Sequence, residues 1–150
     1  MPIDYKRVAM DDLRAYPALK AAMENIRDKL AALNARAEGL SAQAADRVPV
    51  QGGGNQQEQR MLNVIVERER LKLNYQADKK CVGIIERGLS ALSEEERRIL
   101  TEFARVNRGG EKHLADRLSG EMGMDRSTVY RIRNDALRRY TLCCYGLTEL

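Results

Sequence analysis

The sequence predicts an all-α chain, with a long N-terminal helical hairpin or coiled-coil arm over residues 1–92 and a small helix-turn-helix domain over residues 93–150. Three observations predict it. Apolar residues recur in alternating steps of three and four along two extended stretches, the spacing that lines one side of a helix. The composition favours long helices over a large globular core: 32% of the 150 residues are charged, there is one Phe and no Trp, and Ala, Leu, Glu and Arg recur. Finally, residues 118–132, LSGEMGMDRSTVYRI, read as two helices joined by a tight turn.

Residues 1–10 show no clear period and are expected to be loose. Asp11 or Asp12 starts the first helix, and Pro17 is tolerated near that start because its missing N–H would have no partner there. Leu19, Met23, Ile26, Leu30, Leu33, Ala37 and Leu40 then form an unbroken heptad seam. Three heptads are too few to force pairing between chains, so the seam fits either a plain amphipathic helix or a coiled coil. Residues 41–59 contain Pro49, the triplet Gly52, Gly53 and Gly54, and a run of Asn and Gln, and they read as a flexible connection. The triplet is not a phosphate-binding loop, because no apolar strand precedes it and no Gly-Lys-Ser/Thr follows.

From about residue 56 to 88 strong helix formers return, and Met61, Val64, Leu71, Tyr75, Val82, Ile85, Leu89 and Leu92 occupy seam positions. Arg68 and Asp78 interrupt the seam, either setting register or lying solvated at its edge. At ~1.5 Å rise per residue this helix is roughly 50 Å long and exceeds the first. Folding the first helix back antiparallel leaves a surplus face, including Leu62, Ile65 and Leu73, for a second chain or for the C-terminal domain.

Gly88 is expected to relax the second helix before the next domain. Ser93 and Glu96 form a capping-box pattern, and Glu94, Glu95 and Glu96 suit the positive end of a helix dipole. Ile99, Leu100, Phe103 and Val106 give a buried face, and Gly109 and Gly110 end that helix. Leu114, Leu118 and Met122 continue the small core, Ser119 is small where two helices must approach, Gly123 supplies the turn, and Asp125 caps the last helix. In that helix Val129, Ile132, Ala136, Leu137 and Tyr140 face the core, while Arg126, Ser127, Tyr130, Arg131, Asn134 and Arg138 lie opposite. A short, polar, basic first turn is what a helix entering the DNA major groove requires. The alternative is an ordinary helical hairpin with a solvated outer face.

Net charge is +4 and the pI about 9.1, too mild an excess to identify a partner by itself. Its distribution is more informative: residues 124–141 hold Arg126, Arg131, Arg133, Arg138 and Arg139 against Asp125 and Asp135. No apolar run is long enough for a membrane span and no leader pattern opens the chain, so a cytoplasmic protein without membrane partners is expected. Cys81, Cys143 and Cys144 form neither a disulfide framework nor a spaced metal set. His113, the sole histidine, has no Ser, Cys or carboxylate partner placed around it by the sequence. Neither an enzyme nor a cofactor or metal is expected.

Residues 92–141, LSEEERRILTEF followed by LSGEMGMDRSTVYRIRNDALRRYT, resemble region four of the bacterial sigma factors. They are more closely similar to the ArpU-like family of phage transcriptional regulators, through the acidic opening, the STVYR core and the ALR tail. Gly120 departs from that pattern, where a polar helix former is usual, and weakens the positioning helix by ~1 kcal/mol relative to Ala. The resemblance implies a sequence-specific regulator of phage or prophage late genes. It matches Arg126, Ser127, Tyr130 and Arg131 to positions that reach bases. Thr128 and Asn134 are expected to anchor the DNA backbone, and Arg105, Arg108, Lys112 and Arg133 to contact phosphates. The expected partners are double-stranded DNA and further copies of the chain, held through the arm. Two other readings stay open: a small terminase-like DNA-packaging protein, and a sigma-like module that binds RNA polymerase or another regulator.

Overall fold

The computed structural model describes residues 2–45 and 54–146. Among these the chain is all helical, with α1 (Tyr5–Ala45), α2 (Gly54–Ser90), α3 (Glu94–Arg105), α4 (Glu111–Met122) and α5 (Arg126–Tyr145). No helix among the described residues is long and apolar enough to cross a membrane. Two compact units result, one from Met1–Ala18 with Cys81–Leu150 and the other from Leu19–Lys80. The division therefore does not fall at residue 92, because both the start of α1 and the end of α2 pack with the C-terminal helices.

Within the unit Leu19–Lys80 the two helices run antiparallel. Arg27 donates to the Tyr75 hydroxyl at 3.0 and 2.7 Å, Arg68 donates to Asn34 Oδ1 at 3.4 Å, and Gln57 donates to the Leu40 carbonyl at 3.1 Å. Later residues of α1 thus meet earlier residues of α2. Ile26 and Leu40 of the first seam and Val64 and Leu71 of the second are buried. Arg68 sits half-buried in that seam, its Nε shut off from water without a partner among the described residues. The helices extend further than expected at this end: residues 41–45 and 54–59 are helical. The remainder of the expected flexible connection, residues 46–53, lies outside the described residues.

In the other unit residues 5–10 are already helical, where the sequence is expected to be loose. The backbone N–H of Arg7 donates to Asp4 Oδ1 at 3.1 Å, an N-capping arrangement that starts α1 at Tyr5. Pro17 therefore lies well inside α1. Proline in a helix interior costs about 3 kcal/mol, and here Ala9 and Leu13 are buried with Met10 against the core. Asp12 accepts from the Tyr145 hydroxyl, Arg14 Nε donates to the Ala104 carbonyl at 2.8 Å, and the Tyr5 and Tyr145 rings lie 5.4 Å apart. These contacts hold the first turns of α1 to α3 and α5.

Gly88 is buried inside α2 rather than loosening its end. A Cβ placed there would come within 2.6 Å of both Cys144 Sγ and Tyr140 Cε2, so α5 packs directly on the α2 backbone at this point. Arg97 donates to the carbonyls of Leu89 at 3.2 Å and Leu92 at 3.5 Å, satisfying acceptors left over where α2 stops. The Ser93–Glu96 capping box is present in both directions. α3 stops at Arg105 with Val106 extended, and Gly109, at φ +91°, and Gly110 belong to the following turn instead of ending the helix directly.

Candidate nucleic-acid interface

Three helices build this site. Ile99 and Phe103 of α3, Leu114, Ala115 and Leu118 of α4, and Val129 of α5 form one buried cluster, with Met122, Tyr130 and Ile132 packed against it. Gly123 ends α4 in the left-handed conformation, φ +63° and ψ +38°, which L side chains adopt only at a cost. The Ser119 hydroxyl donates to the Met124 carbonyl, and the Met124 N–H returns a bond to the Ser119 carbonyl at 3.1 Å. This pair clamps the three-residue turn between α4 and α5. Asp125 occupies the N-cap position in an extended conformation but makes no side-chain capping bond.

The orientation of α5 follows from its burial pattern. Val129, Ala136 and Tyr140 are fully buried, and Ser127, Arg131, Asn134 and Arg138 are exposed. Those four residues recur at intervals of four, three and four, so they share one stripe of the helix. Arg138 thus completes the row, and its spacing from Ser127 was the signal for it in the sequence.

Several arginines are held by partners that lie far off in sequence. Arg126 Nη2 pairs with Asp116 Oδ1 of α4 at 2.5 Å, with both side chains about half exposed. Arg139 Nη1 meets both oxygens of Glu96 at 2.8 Å, so Glu96 serves the α3 capping box and anchors α5 together. Arg133 lies with its guanidinium carbon 5.0 Å from the ring centres of both Phe103 and Tyr130. Its Nε and Nη2 donate to Asn134 Oδ1 at 3.1 and 2.9 Å, and Nη1 stands 4.0 Å from Glu111.

Helical spacing puts Tyr130 in the outer row, and Arg133 is expected to contact phosphate. Tyr130 is half-buried instead, its ring 5.7 Å from Phe103, and Arg133 is turned inward over that pair. Thr128 is also only partly exposed, whereas Lys112, Arg105 and Arg108 are exposed. Arg131 and Arg138 make no ion pair with any of the described residues. A shallow groove beside Arg131 is lined by Ser93, Glu95, Glu96, Ile132, Asp135 and Arg139. The basic stripe is therefore bordered by carboxylates on its α3 side.

Comparison of the chain with models of known families, with curated proteins and with solved structures gives no match. A face shared by α3 and α4 is charge-balanced: Arg98 and Arg117 pair with Glu102 and Glu121, with Arg117 to Glu102 at 3.3 Å and to Glu121 at 3.5 Å. Unlike the Arg131–Arg138 stripe, that face has satisfied its charges within the protein. Among the described residues no group of three or more His, Cys, Asp or Glu side chains is placed to hold a metal ion.

Proposed function

We propose that α4, its turn and α5 form a helix-turn-helix that binds double-stranded DNA, with the exposed stripe of α5 in the major groove. On this reading the protein is a sequence-specific transcriptional regulator of a phage or prophage, acting in the bacterial cytoplasm. The observation that carries it is the outward row of Ser127, Arg131, Asn134 and Arg138, in which both arginines lack ion-pair partners among the described residues while α5 packs on α3 and α4 through its other side.

Arg131 can donate two parallel bonds to a guanine edge, and Ser127 can meet a base edge or a phosphate. Asn134 has a narrower role. Its Oδ1 already accepts two bonds from Arg133, so it offers its NH2 group to acceptors such as guanine O6 or a phosphate oxygen. Arg126 keeps Asp116 on one nitrogen and has its other N–H groups left for DNA, and Tyr130 and Arg133 support the reading surface from behind. Lys112 and Arg138 supply phosphate contacts.

Selection of bound fragments from the source genome tests the proposal. Recovery of a short site near promoters supports a regulator; recovery beside packaging genes transfers the same interface to a terminase-like role. Failure to select any sequence, with binding insensitive to salt, overturns both. Arg131→Ala is expected to weaken specific binding by about 1–3 kcal/mol and to relax preference at one base. An equal loss on all DNA would reduce Arg131 to a phosphate contact.

A further inference from the structure

The outward row of α5 is unusual in what it has left to offer a base. Arg131 and Arg138 can only donate, since a guanidinium carries no acceptor. An asparagine normally brings both kinds of group, an NH2 donor and a carbonyl that accepts through two lone pairs. At Asn134 both lone pairs are taken, because Arg133 Nε and Nη2 donate to Oδ1 at 3.1 and 2.9 Å. The amide cannot sit the other way round, as its NH2 group would then face a second set of donors. Arg133 is itself held. Its side chain is 23% exposed, its guanidinium carbon lies 5.0 Å from the ring centres of both Phe103 and Tyr130, and Nη1 stands 4.0 Å from Glu111 of α4. Releasing Asn134 would mean swinging the guanidinium off two rings, so the pair of bonds persists when the row meets a ligand. Within the row only the Ser127 hydroxyl still accepts.

We infer, resting on the DNA-binding role proposed above, that Arg133 sets the base preference of α5 by occupying the Asn134 acceptor, so that the position met by Asn134 selects guanine and rejects adenine. In the major groove adenine shows the N7 acceptor and the N6 amino donor, and an unoccupied asparagine reads both at once. An Asn134 that can only donate sets its NH2 group against the adenine amino group, donor facing donor. Guanine shows two acceptors, N7 and O6, and meets no such conflict. Arg131, which also only donates, favours guanine for the same reason. Arg133 is thus a positioning residue: it does not touch the base and acts through its neighbour.

Base preference is measured by selection from a randomised duplex library with the full chain as wild type, as Asn134→Ala and as Arg133→Met, the methionine keeping an apolar stem on Phe103 and Tyr130. Helix content and melting are followed in parallel. Asn134→Ala should relax one position of the selected site, and there the wild type is expected to favour guanine over adenine roughly tenfold or more. Arg133→Met frees the carbonyl and should turn that same position to adenine while the rest of the site stands, a switch that a merely structural role would not produce. On the wild type alone, replacing adenine at that position by purine, which keeps N7 but lacks the 6-amino group, should strengthen binding. With a free amide carbonyl the same replacement removes a partner and weakens it, so this measurement decides the matter if Arg133→Met does not fold. Adenine preferred by the wild type, no position relaxed by Asn134→Ala, or guanine still preferred by a folded Arg133→Met overturns the role of Arg133 and leaves the DNA-binding role standing. A wild type that selects no sequence overturns both.

Discussion

The hydroxyl of Tyr140 is buried, and the weakly bonding thiol of Cys144 is the partner it faces. A thiol is a poor hydrogen-bond partner, so Tyr140→Phe is expected to change stability by no more than about 1 kcal/mol in either direction in thermal denaturation at neutral pH. Tyr145 differs, because its hydroxyl donates to Asp12 and ties α5 to α1. Burial pushes both phenols above their ordinary value of 10.0, and for Tyr145 the bond to Asp12 acts in the same direction. The unfolded chain then releases these protons near pH ~10 while the folded protein keeps them. Their contribution to stability is complete below that pH and is lost as pH rises above it. Chemical denaturation between neutral pH and about pH 11 should show this decline, and a Tyr140→Phe, Tyr145→Phe double variant should show less of it. An identical decline in the two proteins would contradict the assignment.

Helix packing, at the scale of the element, separates glycines that look alike in sequence. Gly88 has Tyr140 and Cys144 pressed against its α-carbon, whereas a Cβ at Gly120 would meet nothing within 4 Å. Gly88→Ala should therefore destabilise by about 1–3 kcal/mol, the usual cost of overpacking, despite alanine's better helix propensity. Gly120→Ala should stabilise by about 0.5–1 kcal/mol, because nothing opposes the gain in propensity. Urea unfolding of the two variants checks the pair, and effects of the same sign would refute the distinction. The same scale explains the arginines of α5. Arg126, Arg133 and Arg139 meet Asp116, Glu111 and Glu96 because α3 and α4 bring those carboxylates across. The charge of the helix as written overstates the charge it displays.

For the whole molecule, a net charge of +4 gives only a weak general attraction to a polyanion, so the proposed DNA binding rests on the local stripe. On the proposed reading, log affinity falls linearly with log salt, and removing one cation that touches a phosphate lowers the slope by roughly 1. Lys112→Ala and Arg138→Ala should each reduce it by about that much, measured by fluorescence titration across salt concentrations. An unchanged slope in both variants would remove these residues from the interface. The division into units bears on stability as well: the first turns of α1 belong with the C-terminal helices, so truncation before Leu13 should expose core rather than trim a tail.

Local pattern and covalent geometry made much of this protein legible in its sequence. Helix periodicity gave the all-α class and the seams through Ile26, Leu40, Val64 and Leu71; the Ser93–Glu96 pair marked the start of α3; and Gly123 marked the turn before α5. Each depends on residues within a few positions of one another, where spacing alone sets the geometry. The remainder depends on which distant segments meet. Asp4 and the burial of Ala9 and Leu13 begin α1 earlier than the pattern suggested, Gly88 is needed because α5 lies on it, and Phe103 draws Tyr130 and Arg133 inward. Only the tertiary structure decides these, because long-range packing and pairing outweigh the propensities of single residues, and periodicity does not say which partner a face will find.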